Sequence, residues 1–226
     1  SKNSIIYGIG NMLSKMLALL ILPFLTEHIK PVEYGIISMF TVFSTFVQPV
    51  FQLGLSAGIT PIYFEQETKR QKNNVILLSF WILLVSALLM IGGCFVFRSF
   101  LLKVVIGVNG YEDLFFVYML SVAIASIELP FLYKYQFEEK SMQFVITTFF
   151  SSIACYGLLF FLVIYCDFGI EGYIYGLLLG EVIRFFGYFL GLKVSLIDLD
   201  YDKILIKKIF VTSFPFIPSF FSLYVL

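Results

Sequence analysis

Four places in this chain put polar or charged side chains where an apolar run surrounds them. Lys15 stands about ten residues into the apolar run 5–25. In a helix that is a depth of roughly 15 Å. Tyr7 and Asn11 precede it at intervals of four, so the three make one polar stripe. A charge at that depth is costly in hydrocarbon unless it faces water or a partner. Either the ammonium snorkels back to the headgroups, or it binds something inside the membrane. Glu181 and Arg184 lie three apart in the run 172–193, and Tyr188 continues their face. They are either an ion pair that neutralises itself or a cation shown to a solute. Glu128, in the run 114–133, shares a face with Tyr118, Ser121 and Ala125. It is either the partner of a nearby cation or a protonatable carboxyl. Gln48 and Gln52 lie one turn apart around Pro49, which should bend the helix and free a carbonyl.

Counted together, Lys15, Arg184 and Glu181 leave one net positive charge at mid-membrane depth. Guanidinium and ammonium groups attract phosphate. Tyrosines and amides suit sugar hydroxyls. The expected substrate-binding set is therefore Lys15, Arg184, Asn11, Tyr7, Gln48, Gln52 and Tyr188. Glu128 and Glu181 are the expected coupling carboxylates, with H+ or Na+ as the coupled ion. No enzyme signature accompanies them: His28 is the sole histidine, and no catalytic or metal-spaced motif occurs. The expectation is a non-enzyme without catalytic residues, metal or cofactor.

The elements that must position these groups are membrane helices. Of 226 residues, 60% are hydrophobic and 13% charged, against about 45–50% and about 25% in soluble domains. Six apolar runs are long enough to span a bilayer, at 5–25, 33–58, 75–97, 114–133, 142–166 and 172–193, and a seventh begins near 209. Membrane strands need only about ten alternating residues, and these runs are longer and apolar all round. The fold class is thus an all-α polytopic membrane bundle. The expected division is a six-helix lobe over 1–195, a cytoplasmic connector over 196–208 and the start of a seventh helix over 209–226. Because the chain opens on Ser1 and stops inside an apolar run, it reads as the front part of a longer protein.

Loop charge sets the orientation. Ten Lys and Arg flank the N-terminus and the even loops, and three flank the odd ones. This predicts a cytoplasmic N-terminus. Asp202 is placed to cap a helix beginning at Lys203, and Pro215 and Pro218 should kink the seventh run. Gly172, Gly176, Gly180, Gly187 and Gly191 share one side of the sixth run, which predicts close packing on a neighbour beside the Glu181–Arg184–Tyr188 stripe. Cys94, Cys155 and Cys166 read as buried apolar side chains, with a Cys94–Cys166 disulfide as the alternative. Formal net charge is zero, which gives no case for nucleic acid.

Several short stretches carry a family resemblance. They are Asn-Met-Leu-Ser-Lys over 11–15 running on to Leu-Pro-Phe-Leu-Thr over 22–26, and Ile-Lys-Pro-Val-Glu-Tyr-Gly over 29–35. Beyond these come Gln-Leu-Gly-Leu-Ser-Ala-Gly over 52–58, Tyr-Phe-Glu over 63–65, and Leu-Ile-Lys-Lys over 205–208 leading to Ser-Phe-Pro-Phe-Ile-Pro over 213–218. In order and spacing they resemble bacterial polysaccharide exporters, the O-antigen and capsule flippases of the multidrug/oligosaccharidyl-lipid/polysaccharide superfamily. The resemblance implies a protein of 12–14 helices in the bacterial inner membrane, arranged as two pseudo-symmetric lobes around a central cavity. It implies transport of undecaprenyl-diphosphate-linked sugars alongside other polysaccharide assembly proteins, with membrane lipids as surroundings. Lys15 matches the family's basic position in the first helix. The alternatives are an ion-coupled drug or cation antiporter of the same superfamily, a membrane-embedded glycan polymerase, and a non-transporting scaffold.

Overall fold

A computed structural model describes residues 2–105, 107, 109–192 and 200–222. Among them it has helices and no strand. Helix α1 (Lys2–His28) leads, and after it come α2 (Pro31–Phe51), α3 (Leu55–Glu65), α4 (Lys69–Val105), α5 (Glu112–Ile127), α6 (Leu129–Phe137), α7 (Ser141–Phe160), α8 (Gly169–Leu192), α9 (Lys203–Ser213) and α10 (Ile217–Ser222). Five stretches of the described residues are long and apolar enough to cross a membrane: Pro31–Glu65, Lys69–Val104, Glu112–Phe137, Ser141–Tyr165 and Gly169–Leu192. Each contains one of the apolar runs read from sequence or nearly all of it, and α1 contains the first.

The breaks have local causes. Pro31 occupies the first turn of α2 with Glu33 beside it, and Lys30 makes no side-chain cap. Pro49 lies near the end of α2, and the helix is interrupted at Leu53 and Gly54, both at positive φ (54° and 68°). Ser86 donates to the carbonyl oxygen of Phe51 at 2.6 Å, satisfying one of the helix's terminal acceptors. Glu128 is the joint between α5 and α6, where Pro130 supplies no amide hydrogen. The last turn of α7 widens into a π-helical segment, Phe161–Tyr165. Asp202 accepts hydrogen bonds from the amides of Ile204 (2.8 Å) and Leu205 (3.2 Å), capping α9 as its position predicts. Around Pro215 the helix tightens to a 3-10 turn, Phe214–Phe216. Residues 196–199 of the expected connector lie outside the described residues. Its remainder leads into α9, whose Leu205 and Ile209 are buried.

Helices α8 and α1 both pack along α7, and the Phe144 ring meets Tyr7 of α1 and Tyr188 of α8. The glycine face does what its spacing predicts. A Cβ at Gly176 would come within 2.9 Å of Leu159, and one at Gly180 would collide with Cys155, both on α7. Two apolar clusters are stacked along the bundle. One holds Phe40, Met90, Phe115 and Ile174, and the other holds Leu55, Leu83, Phe131 and Tyr188. Ile127 packs on both, so Glu128 sits at their seam. Large side chains such as Leu89, Val96, Phe100 and Phe150 point outward and exposed, a surface suited to lipid. All three cysteines are free thiols.

Candidate functional site

The seam between the two apolar clusters holds an ionic triad. Arg184 reaches from α8 to Glu128 at the α5–α6 joint, with Nε 2.9 Å from Oε1. Its terminal nitrogen pairs with Glu181 one turn back. The joint places Glu128 here because α5 ends one residue before it and α6 starts one residue after it. The i, i+3 spacing places Glu181 beside Arg184 on α8. Side-chain exposure falls from 34% at Arg184 through 15% at Glu181 to 5% at Glu128. The second carboxylate oxygen of Glu128, Oε2, is buried without a hydrogen-bond partner among the described residues.

This arrangement changes the charge count. Glu128 belongs to the same group as Glu181 and Arg184, so the net positive charge expected at mid-depth is cancelled. The guanidinium is held by two carboxylates, and the Arg184 side chain as a whole is one-third exposed. Its fork geometry is the one that binds phosphate oxygens best. In the structure these anion positions are taken by the protein's own acids, Glu128 and Glu181.

The other expected site residues divide between packing and open surface. Tyr188 is 1% exposed, its hydroxyl 2.7 Å from that of Thr148, and its ring stacks on Phe144. Tyr7 donates to the backbone carbonyl of Tyr135 at 3.1 Å. Both are fastened into the helix contacts. Gln48 and Gln52 are half-buried, and their amides bond to no described residue. The side chain of Asn11 lies outside the described residues. Lys15 is exposed on α1 and forms no ion pair with a described residue. The structure therefore joins Arg184 to Glu128 and Glu181, and it joins Lys15 to neither acid. A track of hydroxyls does connect the helices. Ser152 of α7 donates to Ser14, next to Lys15, at 2.9 Å. One turn earlier Thr148 meets Tyr188, one turn beyond Arg184 on its helix.

Sequence reasoning missed a second polar cluster at the end of the bundle where α3, α4, α6 and α9 meet. Lys134 is 4% exposed and donates to Asn73 at 2.7 Å, with Glu138 at 3.6 Å. Arg70 pairs with Asp200 at 2.8 Å, and Asn74 bonds both ways with the Asp200 backbone (2.9 and 3.1 Å). Lys208 pairs with Glu65. The visible signal was the density of charge in these loops, and the partners become apparent only once the helices are docked.

Known proteins share this architecture. A family model described as polysaccharide biosynthesis protein matches residues 1–226. No curated protein matches the chain. Among solved structures, an outward-facing multidrug resistance transporter of the MATE family and MOP superfamily superposes with a TM-score of 0.76 at 16% identity, over 99% of this chain and 53% of its own. A MOP superfamily transporter from Pyrococcus furiosus, reported with a binding pocket of reversed polarity, gives 0.78 at 16% identity, over 99% and 53%. An inward-facing MATE transporter gives 0.63 at 18% identity, over 81% and 45%. At such identities the likeness is one of fold, and the chain spans about half the length of these structures. The helix bundle has the fold of these transporters, and the match along all 226 residues shows that the chain belongs to the polysaccharide biosynthesis protein family.

Proposed function

We propose that this protein carries a lipid-linked oligosaccharide, of the undecaprenyl-diphosphate class, from the inner to the outer leaflet of the bacterial inner membrane by alternating access. The observation that carries the reading is Arg184. Its side chain is one-third exposed, lies within a membrane-spanning helix and, among the described residues, pairs with two acids of its own bundle. A diphosphate competes with Glu128 and Glu181 for the fork. Lys15, exposed on α1, supplies a second cation to the same solute. Glu128 cannot stay charged and buried once Arg184 turns to substrate, because an uncompensated buried charge is too costly. Substrate binding is thereby linked to proton uptake, and release to proton loss. The N-terminus faces the cytoplasm, in keeping with the excess of Lys and Arg in the even loops.

The second reading is an ion-coupled drug antiporter. It is favoured by the fold shared with MATE transporters and by the same two acids. Replacement of Arg184 separates them. In cells depending on this protein, Arg184→Ala removes surface polysaccharide and leaves drug tolerance unchanged if the first reading holds. Normal polysaccharide with lost drug tolerance would establish the antiporter instead.

A further inference from the structure

Away from the triad, a cavity of about 560 Å³ opens between α4 and α9. Leu78, Trp81, Val85 and Leu89 form one wall, and Ile206 and Phe210 form the other. The segment from Leu78 to Leu89 is roughly 16 Å long as a helix, about half of a ~30 Å hydrocarbon core. One polar group in the wall, the Ser86 hydroxyl, is already given to the Phe51 carbonyl. The groove therefore accepts hydrocarbon and offers no hydrogen bond along its length.

Its end near Tyr201 is different. Lys203 lies on the same face of α9 as Ile206 and Phe210, with Lys207 at its flank. Both are exposed, and neither forms an ion pair with a described residue. Arg70 comes to the same end through Asp200, the neighbour of Tyr201, and their charges cancel. Asp202 is spent on the α9 cap. Two ammonium groups with no ion pair to a described residue thus lie on the helix that walls an apolar slot about one leaflet deep, a combination that matches an anionic headgroup above a hydrocarbon chain.

We infer that this groove binds an anionic phospholipid, with an acyl chain between α4 and α9 and its phosphate at Lys203 and Lys207. A phospholipid fits better than a polyprenyl carrier because the slot is only one leaflet deep and lies apart from Arg184. Such a lipid bridges α9 to α4, which otherwise meet through few groups besides the Asp200 pairs. The lipid site is independent of what the triad transports.

Trp81, the chain's single tryptophan, lines the slot and reports its occupancy. The test reconstitutes the protein in nanodiscs containing brominated-acyl phosphatidylglycerol or brominated-acyl phosphatidylcholine and measures quenching of Trp81. Half-quenching by the anionic lipid is expected at about a thirtyfold lower mole fraction, the scale of two lysines near a charged headgroup. Lys203→Gln with Lys207→Gln should erase that difference, Lys203→Arg with Lys207→Arg should keep it, and Val85→Phe should weaken quenching by both lipids. Equal quenching by the two lipids in the unmodified protein overturns the site. So does survival of the preference in the double glutamine variant. Displacement of phosphatidylglycerol by an equimolar polyprenyl phosphate assigns the slot to the carrier lipid and overturns the phospholipid.

Discussion

In the proposed flipping cycle Arg184 does two things: it neutralises Glu128 and Glu181, and it releases them for a phosphate. The two carboxylates respond differently when either is removed. Glu128→Gln keeps the shape of the joint and removes one charge, so the guanidinium is freer to take substrate while the proton-accepting group is lost. In proteoliposomes, flipping by Glu128→Gln should continue but lose its dependence on an imposed pH gradient. Retained gradient dependence would shift the coupling role to Glu181 or elsewhere. Arg184→Lys gives the complementary result. A lysine retains the charge but lacks the planar fork, so export should fall about tenfold or more, the loss of one charge-assisted hydrogen bond of ~1.5 kcal/mol. Full activity in Arg184→Lys would mean that charge alone matters. Glu181, Arg184 and Tyr188 were visible in the sequence as one stripe because helical spacing is enough to align them. A cation partner for Glu128 was one of its two sequence readings, but that Arg184 is the partner was not visible, since it depends on how α5 and α6 meet at Pro130 and on α8 packing against α5. Tyr188 shows the limit of stripe reasoning. Its spacing puts it on the polar face, yet Thr148 and the Phe144 ring draw it into the packing.

At the scale of elements, α8 is held by small residues. Gly172, Gly176 and Gly180 bring its backbone against the π-helical end and last turns of α7. That contact fixes the height of Arg184 relative to Glu128. A branched side chain at Gly176 should force the helices apart, with a cost of about 1–3 kcal/mol for overpacking. Gly176→Val should lower the thermal midpoint in detergent and reduce export together, whereas Gly92→Val, where a Cβ meets nothing within 4 Å, should do neither. An unchanged midpoint in Gly176→Val would show that the interface is loose. The α9 cap offers a milder case. Asp202→Ala removes the hydrogen bonds that Asp202 accepts from the Ile204 and Leu205 amides and should cost about 1 kcal/mol, seen as faster hydrogen exchange in α9 alone. The helices themselves were legible, because spans, glycine face, cap and proline breaks all arise from local spacing. The break at Gln52–Gly54 was foreshadowed by Pro49. Its consequence was not: a Cβ on Gly54 or Gly58 would collide with Ser213, so α9 is seated in that bend. Such long-range seating has no periodic signature.

For the molecule as a whole, the distribution of charge along the bundle and the proposed direction of transport must agree. The end where α3, α4, α6 and α9 meet carries Arg70, Lys134, Lys140 and Lys208 in pairs with Asp200, Glu138 and Glu65. Those pairs cancel much of the local charge in the folded state. The positive-inside bias, however, counts Lys and Arg and gives little weight to acids, so pairing does not erase the orientation signal. The proposed inner leaflet is therefore on the side of Thr68, and the outer leaflet on the side of Asn109, in the loop between α4 and α5. Single cysteines at these two positions, in a background with Cys94, Cys155 and Cys166 changed to serine, test it directly. An impermeant maleimide applied to intact spheroplasts should label the Asn109→Cys protein and spare the Thr68→Cys protein until the membrane is opened. The opposite pattern would place Lys134 and the α9 cap outside, so a carrier loaded with cytoplasmic sugars would meet the bundle from the wrong face. Arg184 would then have to act on a solute arriving from outside, and the antiporter reading would gain what the flippase reading lost.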